Sequence, residues 1–118
     1  LLAWDFVTPR QDKSNRPYFT QVLPAAPSAP LRLQLRGLAP GTYALAIRRT
    51  GFDANDAYSA YLRMGSPKTL SSEQLRKLQG LTADVPESRT LRVGKDGNAQ
   101  VEVRMRANDV VLVEVSPR

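Results

Sequence analysis

Apolar residues in this chain recur at every second position, in short runs that turn residues cut before a helical period can develop. Leu31, Leu33 and Leu35 alternate with Arg32, Gln34 and Arg36, the pattern of a strand with one buried and one wet face. Gly37-Leu38-Ala39-Pro40-Gly41-Thr42 is a turn cluster, after which Tyr43, Leu45 and Ile47 alternate with Ala44, Ala46 and Arg48. The strand-turn-strand order predicts an antiparallel pair. Ala99, Val101, Val103 and Met105 alternate with Gln100, Glu102 and Arg104. Asp96-Gly97 lies between that run and the candidate strand Arg89 to Val93, where it is a hairpin signal. Val110-Val111-Leu112-Val113 is apolar on both faces, which predicts a central strand. Leu1 to Val7 and Pro17 to Leu23 complete about seven strand candidates.

One helix is well signalled. Ser71 reads as its N-cap, and Gln74, three residues on, completes a capping box. Leu70 and Leu75 stand where a hydrophobic staple would close, Leu75 and Leu78 line one face, and Gly80 offers a left-handed C-terminal residue. Thr8 to Arg16 is polar and turn-rich, so a loop. Pro24, Pro27 and Pro30 exclude a helix or central strand from the connector between them. Short strands with frequent turns predict an all-β antiparallel sandwich with one short helix. The Leu-x-Pro-Gly-Thr-aromatic run at Leu38 to Tyr43 is similar to the corner that enters a strand in fibronectin-III and immunoglobulin-like sandwiches.

The 118 residues, 42% of them apolar, fit one domain with one core. The chain has no cysteine and no histidine, so thiolate chemistry, disulfides and the commonest general base are all missing. No metal or cofactor is expected, because the scattered acids lack calcium-loop spacing and there is no glycine-rich phosphate loop. No apolar run approaches the roughly 20 residues that span a bilayer. Leu1 to Phe6 lacks the basic leader of a signal peptide, and the chain reads as a fragment of a larger protein. The net charge of +6 comes mostly from arginines that sit singly or alternate with apolar residues. They read as a solvated surface rather than a nucleic-acid face.

Catalysis by this chain alone is not expected. Acid–base hydrolysis by paired acids sets two carboxylates across a scissile bond. Here Glu73 belongs to a first helical turn, Asp96 to a turn, and Glu102 and Glu114 to strand faces beside arginines. Asn55-Asp56 and Asn108-Asp109 are of the type that bonds nearby backbone N–H groups and sets turns. Asn55 or Asp56 also fits as the cap of a short helix through Tyr58 and Tyr61. Trp4, Tyr18, Phe19, Phe52, Tyr58 and Tyr61 are large enough for a sugar-stacking platform, but a small sandwich needs such rings in its core or in the join to a neighbour.

The run from Gly51 to Pro67 contains Asn55-Asp56-Ala57-Tyr58 and Met64-Gly65-Ser66-Pro67, followed by Leu70-Ser71-Ser72-Glu73-Gln74-Leu75. These elements resemble the region after the catalytic barrel in glycoside hydrolase family 39, the β-xylosidase and α-L-iduronidase group. Arg106-Ala107-Asn108-Asp109-Val110-Val111-Leu112-Val113 is similar to the strand that closes such enzymes. Leu1 to Asn15 looks like the strand and loop where the chain leaves the barrel. The resemblance implies a C-terminal accessory β-sandwich packed on a (β/α)8 barrel of the same polypeptide. It also implies that both catalytic glutamates lie on barrel strands absent from this chain, so no catalytic residue carries over.

A bacterial β-xylosidase is the expected parent, with a periplasmic or secreted location favoured. The expected task is mechanical, bracing the barrel through an interface of Phe52, Asn55, Asp56, Tyr58, Tyr61 and Met64. The alternative is a carbohydrate-binding module for xylan or an acidic glycan. Neither nucleic acid nor a membrane is an expected partner. Members of the family can draw one sandwich strand from before the barrel, in which case this piece would expose a sheet edge and invite self-association.

Overall fold

The computed structural model describes residues 1–7, 13–14 and 20–118. The described residues form β1 (Leu2–Trp4), β2 (Leu31–Leu35), β3 (Gly41–Thr50), α1 (Ala57–Arg63), α2 (Ser72–Leu81), β4 (Glu87–Val93), β5 (Ala99–Val103) and β6 (Val110–Pro117). All strand pairs are antiparallel. One sheet has four strands in the order β1-β6-β3-β4, and the other pairs β2 with β5. The protein is therefore mostly β with two short helices. The strand expected at Pro17 to Leu23 is not seen at residues 20–23, and residues 17–19 lie outside the described residues, as do Asp12 and Asn15.

Period-two alternation explains the core. Leu45 and Ile47 of β3 are buried, as are Val111 and Val113 of β6, and the register sets Ile47 across from Val113. From the other sheet come Val101 and Val103, with Met105 just beyond; Leu31, Leu33 and Leu35 pack half-buried against them. The core is thus aliphatic, with Tyr43 as its only buried aromatic among the described residues. Strand β6 lies between β1 and β3, a central position as expected, but only its Val111 and Val113 face is buried, while Val110 on the other face is 41% exposed.

Two expected hairpins do not form. β2 pairs with β5, and β3 pairs with β4 and β6. The turn after β2 forms, but it carries the chain from one sheet to the other. The same holds at Asp96-Gly97, where Gly97 N–H donates to the Gly94 carbonyl at 3.1 Å while β4 and β5 go to different sheets. Each strand has an apolar face that needs a second layer above it, and crossing between layers supplies that cover. The two crossings are bonded together, Leu38 N–H to the Gly97 carbonyl at 3.1 Å.

In α2 the capping box is complete: Gln74 N–H donates to Ser71 Oγ at 3.2 Å, and Ser71 N–H to Gln74 Oε1 at 2.9 Å. Leu78 is buried, but Leu75 is 46% exposed, so the expected apolar face is only half used. Gly80 is not the terminator. It lies inside the helix, which runs to Leu81 and is capped by Thr82.

The ends of the central strands are held by one buried charge. Asp109 is fully buried. Its carboxylate pairs with Arg49 from β3 and with Arg106, and accepts from the Arg106 backbone N–H at 2.9 Å. Arg49 also donates to the Arg104 carbonyl at 2.6 Å. A Cβ on Gly51 would overlap the Asp109 carboxylate, so only glycine fits there. The turn role expected for Asn108-Asp109 holds, and the charge network is an addition to it. Removing one member of a buried pair strands the others. Asp109→Ala is expected to destabilise by about 3 kcal/mol, the low end for such pairs, because both arginines keep some water contact (23% and 32% exposed). The check is the melting temperature of the protein carrying the change, against an exposed control such as Lys95→Ala.

Candidate functional site

Between β3 and β4 the chain leaves the sheets and builds α1 and α2. The excursion begins with a tight turn in which Gly51 and Ala54 exchange backbone hydrogen bonds of 2.9 and 3.0 Å. Asp53 and Asn55 both take left-handed backbone, φ 53°, a conformation that Asn and Asp tolerate best among residues with a side chain. Asp56 then caps α1. Its carboxylate accepts the Ser59 N–H at 3.0 Å and the Asp53 N–H at 3.1 Å, which satisfies a donor that the helix start leaves open. Of the two expected candidates, Asp56 is the cap. Asn55 instead donates from Nδ2 to Thr50 Oγ1 at 3.1 Å. Its Oδ1 is buried and has no hydrogen-bond partner in the described protein.

The C-terminal end of α1 explains Met64-Gly65-Ser66-Pro67. Gly65 N–H donates to the Leu62 carbonyl at 2.9 Å and Ser66 N–H to the Tyr61 carbonyl at 3.2 Å, with Gly65 left-handed at φ 82°. That pair of bonds is a Schellman motif, which needs a residue able to adopt the left-handed conformation after the cap. Met64 is the cap itself. Pro67 stops the helix, and its carbonyl accepts the Tyr61 hydroxyl at 3.2 Å. The two short motifs are therefore the two ends of one seven-residue helix.

The surface of this unit is polar and aromatic. Arg63 forks onto Asp53 at 2.5 and 2.9 Å, and its guanidinium carbon lies 5.2 Å from the centroid of Phe52, within cation–π range. Sequence reasoning missed Arg63, because a partner ten residues away across a turn leaves no periodic trace. Tyr58 and Tyr61 stack with centroids 6.4 Å apart and planes 24° from parallel, as residues three apart on a helix do. Tyr58 is 53% exposed; Phe52, Tyr61 and Met64 are half-buried. An open groove of about 430 Å³ between α1 and α2 is lined by Asp53, Asn55, Asp56, Arg63, Met64 and Lys77, among others. All six expected interface residues thus gather on one projecting unit.

Trp4, by contrast, lies far along the chain on β1 and is 66% exposed. Tyr18 and Phe19 lie outside the described residues. None of the described candidate rings is in the core.

Most of the described acids are already engaged. Asp53, Asp84, Glu87, Glu102, Asp109 and Glu114 each pair with an arginine, and Asp96 orders its turn through Asn98. Among the described residues no three potential metal ligands come together, and no helix is long and apolar enough to cross a membrane.

Two carboxyls in the unit are held below their ordinary value of 3.8. For Asp53 the cause is the hydrogen-bonded Arg63. For Asp56, burial pushes upward, but the hydrogen bonds led by Ser59 outweigh it. A depressed carboxylate stabilises the fold fully above its unfolded value, and that contribution is lost as pH falls through the folded one. The cap on α1 is therefore expected to hold above about pH 4 and to fail as the pH drops below that. Asp56→Ala is expected to cost about 0.5–2 kcal/mol of helix stability at neutral pH and to abolish the acid step. Amide hydrogen exchange at Ser59, followed from pH 6 to 3 in both forms, reads both effects.

No protein-family model matches the chain, and no curated protein matches it. Solved structures do. Over 99% of its length the chain superposes on 23% of a GH39 enzyme from Xanthomonas axonopodis pv. citri, with TM-score 0.91 and 45% identity. Over 98% it superposes on 23% of a monomeric β-xylosidase from Caulobacter crescentus CB15, with TM-score 0.89 and 49% identity. A bacterial orthologue of human α-L-iduronidase shares the fold alone, at 14% identity and TM-score 0.65, over 80% of this chain and 18% of that one. The chain spans about a quarter of the length of the first two relatives. Nearly half its residues are identical to theirs over almost all of its length, so the chain is similar to one part of glycoside hydrolase family 39 enzymes.

Proposed function

We propose that this chain is a single accessory, non-catalytic domain at the C-terminal end of a family 39 glycosidase, and that it braces the catalytic (β/α)8 barrel of the same polypeptide. The observation that carries the reading is the pairing of 45–49% identity over nearly the whole chain with a span of only 23% of the relatives. One relative is a β-xylosidase, so a β-xyloside is the proposed substrate of the parent enzyme. The acids support a non-catalytic part, since most are tied to arginines.

Two physical features support bracing. The accessible surface is 8537 Å², against about 6,400 Å² for a folded monomer of this mass. The radius of gyration is 18.2 Å, against about 13–14 Å for a compact domain of this length. A flat, over-exposed body of this kind has apolar surface to give to a neighbour. The unit with Phe52, Asn55, Asp56, Tyr58, Tyr61 and Met64 is the proposed contact, and the unpartnered Asn55 Oδ1 is an acceptor that a donor from the barrel would satisfy. A fibronectin-III-like sandwich is supported by the Tyr43 hydroxyl, which donates back to the Ala39 carbonyl at 2.9 Å, as in a tyrosine corner. The two-stranded β2–β5 sheet supports a further strand supplied from elsewhere in the polypeptide.

One observation favours the second reading, a carbohydrate-binding module: Tyr58 is exposed and lies nearly parallel to Tyr61. The Tyr61 hydroxyl, however, is tied to the Pro67 carbonyl and the Tyr61 ring is half-buried, so the pair is not an open two-ring platform.

Hydrolysis of nitrophenyl β-xyloside by the full-length enzyme and by the 118 residues alone tests the assignment. Activity is expected only in the full-length protein. Turnover by the 118 residues, free of contaminating enzyme, would overturn it. In the full-length enzyme Tyr58→Ala is expected to cost about 2 kcal/mol of stability, the scale of an interface anchor, with kcat nearly unchanged. Unaltered melting together with lost retention on xylan would favour the binding module instead.

A further inference from the structure

The outer face of the four-stranded sheet carries an apolar strip that no described element covers. On β1, Leu2 stands across from Leu112 and Trp4 across from Val110. Their neighbours on β3 are Arg48 and Thr50, where the strip ends. Val111 and Val113, the alternate residues of β6, are the buried ones, so this strip is on the side away from the core. Leu2 is 54% exposed, Trp4 66% and Val110 41%; Phe6, two residues past Trp4, is 77% exposed.

The strip is not a frayed end. Beyond the β1 ladder, Asp5 N–H donates to the Asp109 carbonyl at 3.1 Å and Asn108 N–H to the Asp5 carbonyl at 2.7 Å. Val7 N–H donates to Asn108 Oδ1 at 2.8 Å. The backbone under both rings is thus held to the backbone and side chain of the Asn108-Asp109 turn. Aromatic rings bury about 150–250 Å² each, so at these exposures Trp4 and Phe6 alone leave on the order of 200–350 Å² open. A patch of that size on a folded protein is often functional.

We propose that this strip is a second seat, distinct from the α1 unit, for the rest of the same polypeptide. The proposal rests on the reading of the chain as part of a larger family 39 enzyme. Three observations select that occupant over a second copy. The Caulobacter crescentus relative, 49% identical over 98% of this chain, is monomeric. The net charge of +6 sets two copies against each other. In a full-length enzyme of that kind the remaining three-quarters would be tethered to this piece, so it would meet the strip at high effective concentration. Docking on a preformed strand also avoids the ordering cost that a loose segment would incur.

The test uses the full-length enzyme. This chain has no cysteine of its own, so Phe6→Cys and Lys95→Cys each add one site to this region, read by maleimide labelling and peptide mass spectrometry. Lys95 is exposed in the turn after β4 and serves as the reference. At low enzyme concentration, Phe6→Cys is expected to label at least tenfold more slowly than Lys95→Cys, and equally fast after unfolding in urea. Equal rates in the native enzyme would overturn the proposal. Protection that fades on dilution, with dimers seen by sedimentation, would overturn it in favour of a second copy. As a second variant, Trp4→Glu is expected to lower the melting temperature of the full-length enzyme by several degrees, and no change counts against the seat. Xyloside hydrolysis is read on the same preparations. Its absence would sink the functional reading and leave the labelling rates, and what they say of the seat, unchanged.

Discussion

A full carboxylate sits at Asp109 with no exposure to water, and two guanidinium groups make that tolerable. An isolated ion buried in this way would be prohibitively costly, whereas a paired and hydrogen-bonded one is not. The pairing ties together parts that are far apart in the chain. Arg49 brings the end of β3, and Arg106 the turn into β6. The Arg104 carbonyl brings the segment leaving β5. Backbone bonds from Asp5 and Asn108 add the residues after β1. Gly51, which must lack a side chain to pass the carboxylate, is where the α1 excursion begins. The sheet ends, the apolar strip on β1 and the start of the helical unit therefore share one anchor.

From that anchor the molecule extends two surfaces that its own core does not use. One is the α1 unit, capped at both ends and bearing stacked tyrosines. The other is the outer face of β1 and β6. The core itself is small and aliphatic, and apart from Tyr43 the described aromatics lie outside it. Rings on the outside of a thin β-structure are costly to leave in water, so their placement fits a piece shaped to sit against something larger. The proposed bracing role follows from that geometry. No feature of the acids contributes to it, since most are already engaged by arginines.

Family-like motifs are often taken as marks of function, and here they have a plainer physical meaning. Asn55-Asp56-Ala57-Tyr58 starts α1 and Met64-Gly65-Ser66-Pro67 ends it through a Schellman motif. A seven-residue helix is too short to persist on intrinsic propensity, so its caps must be good. The cap of α1 and the capping box of α2 were readable because capping acts between residues three apart. The clamp of Arg63 on Asp53 and Phe52 was not readable, because it depends on how the turn at Gly51 to Ala54 folds back.

What the sequence determined by itself was local. Period-two alternation placed β2, β3 and β5, the continuous apolar run at Val110 placed β6 as a central strand, and capping residues marked the helix starts. Tertiary structure alone decided which strands pair. Turn residues at Gly37 to Thr42 and at Asp96-Gly97 specify that the chain bends, but a bend does not say whether the next strand joins the same sheet or crosses to the facing one. That choice depends on covering both apolar faces at once, which is a property of the whole chain. The same holds for Asp109. A lone acid before a valine run reads as a turn former, and only folding brings Arg49, sixty residues away, to neutralise it in the interior.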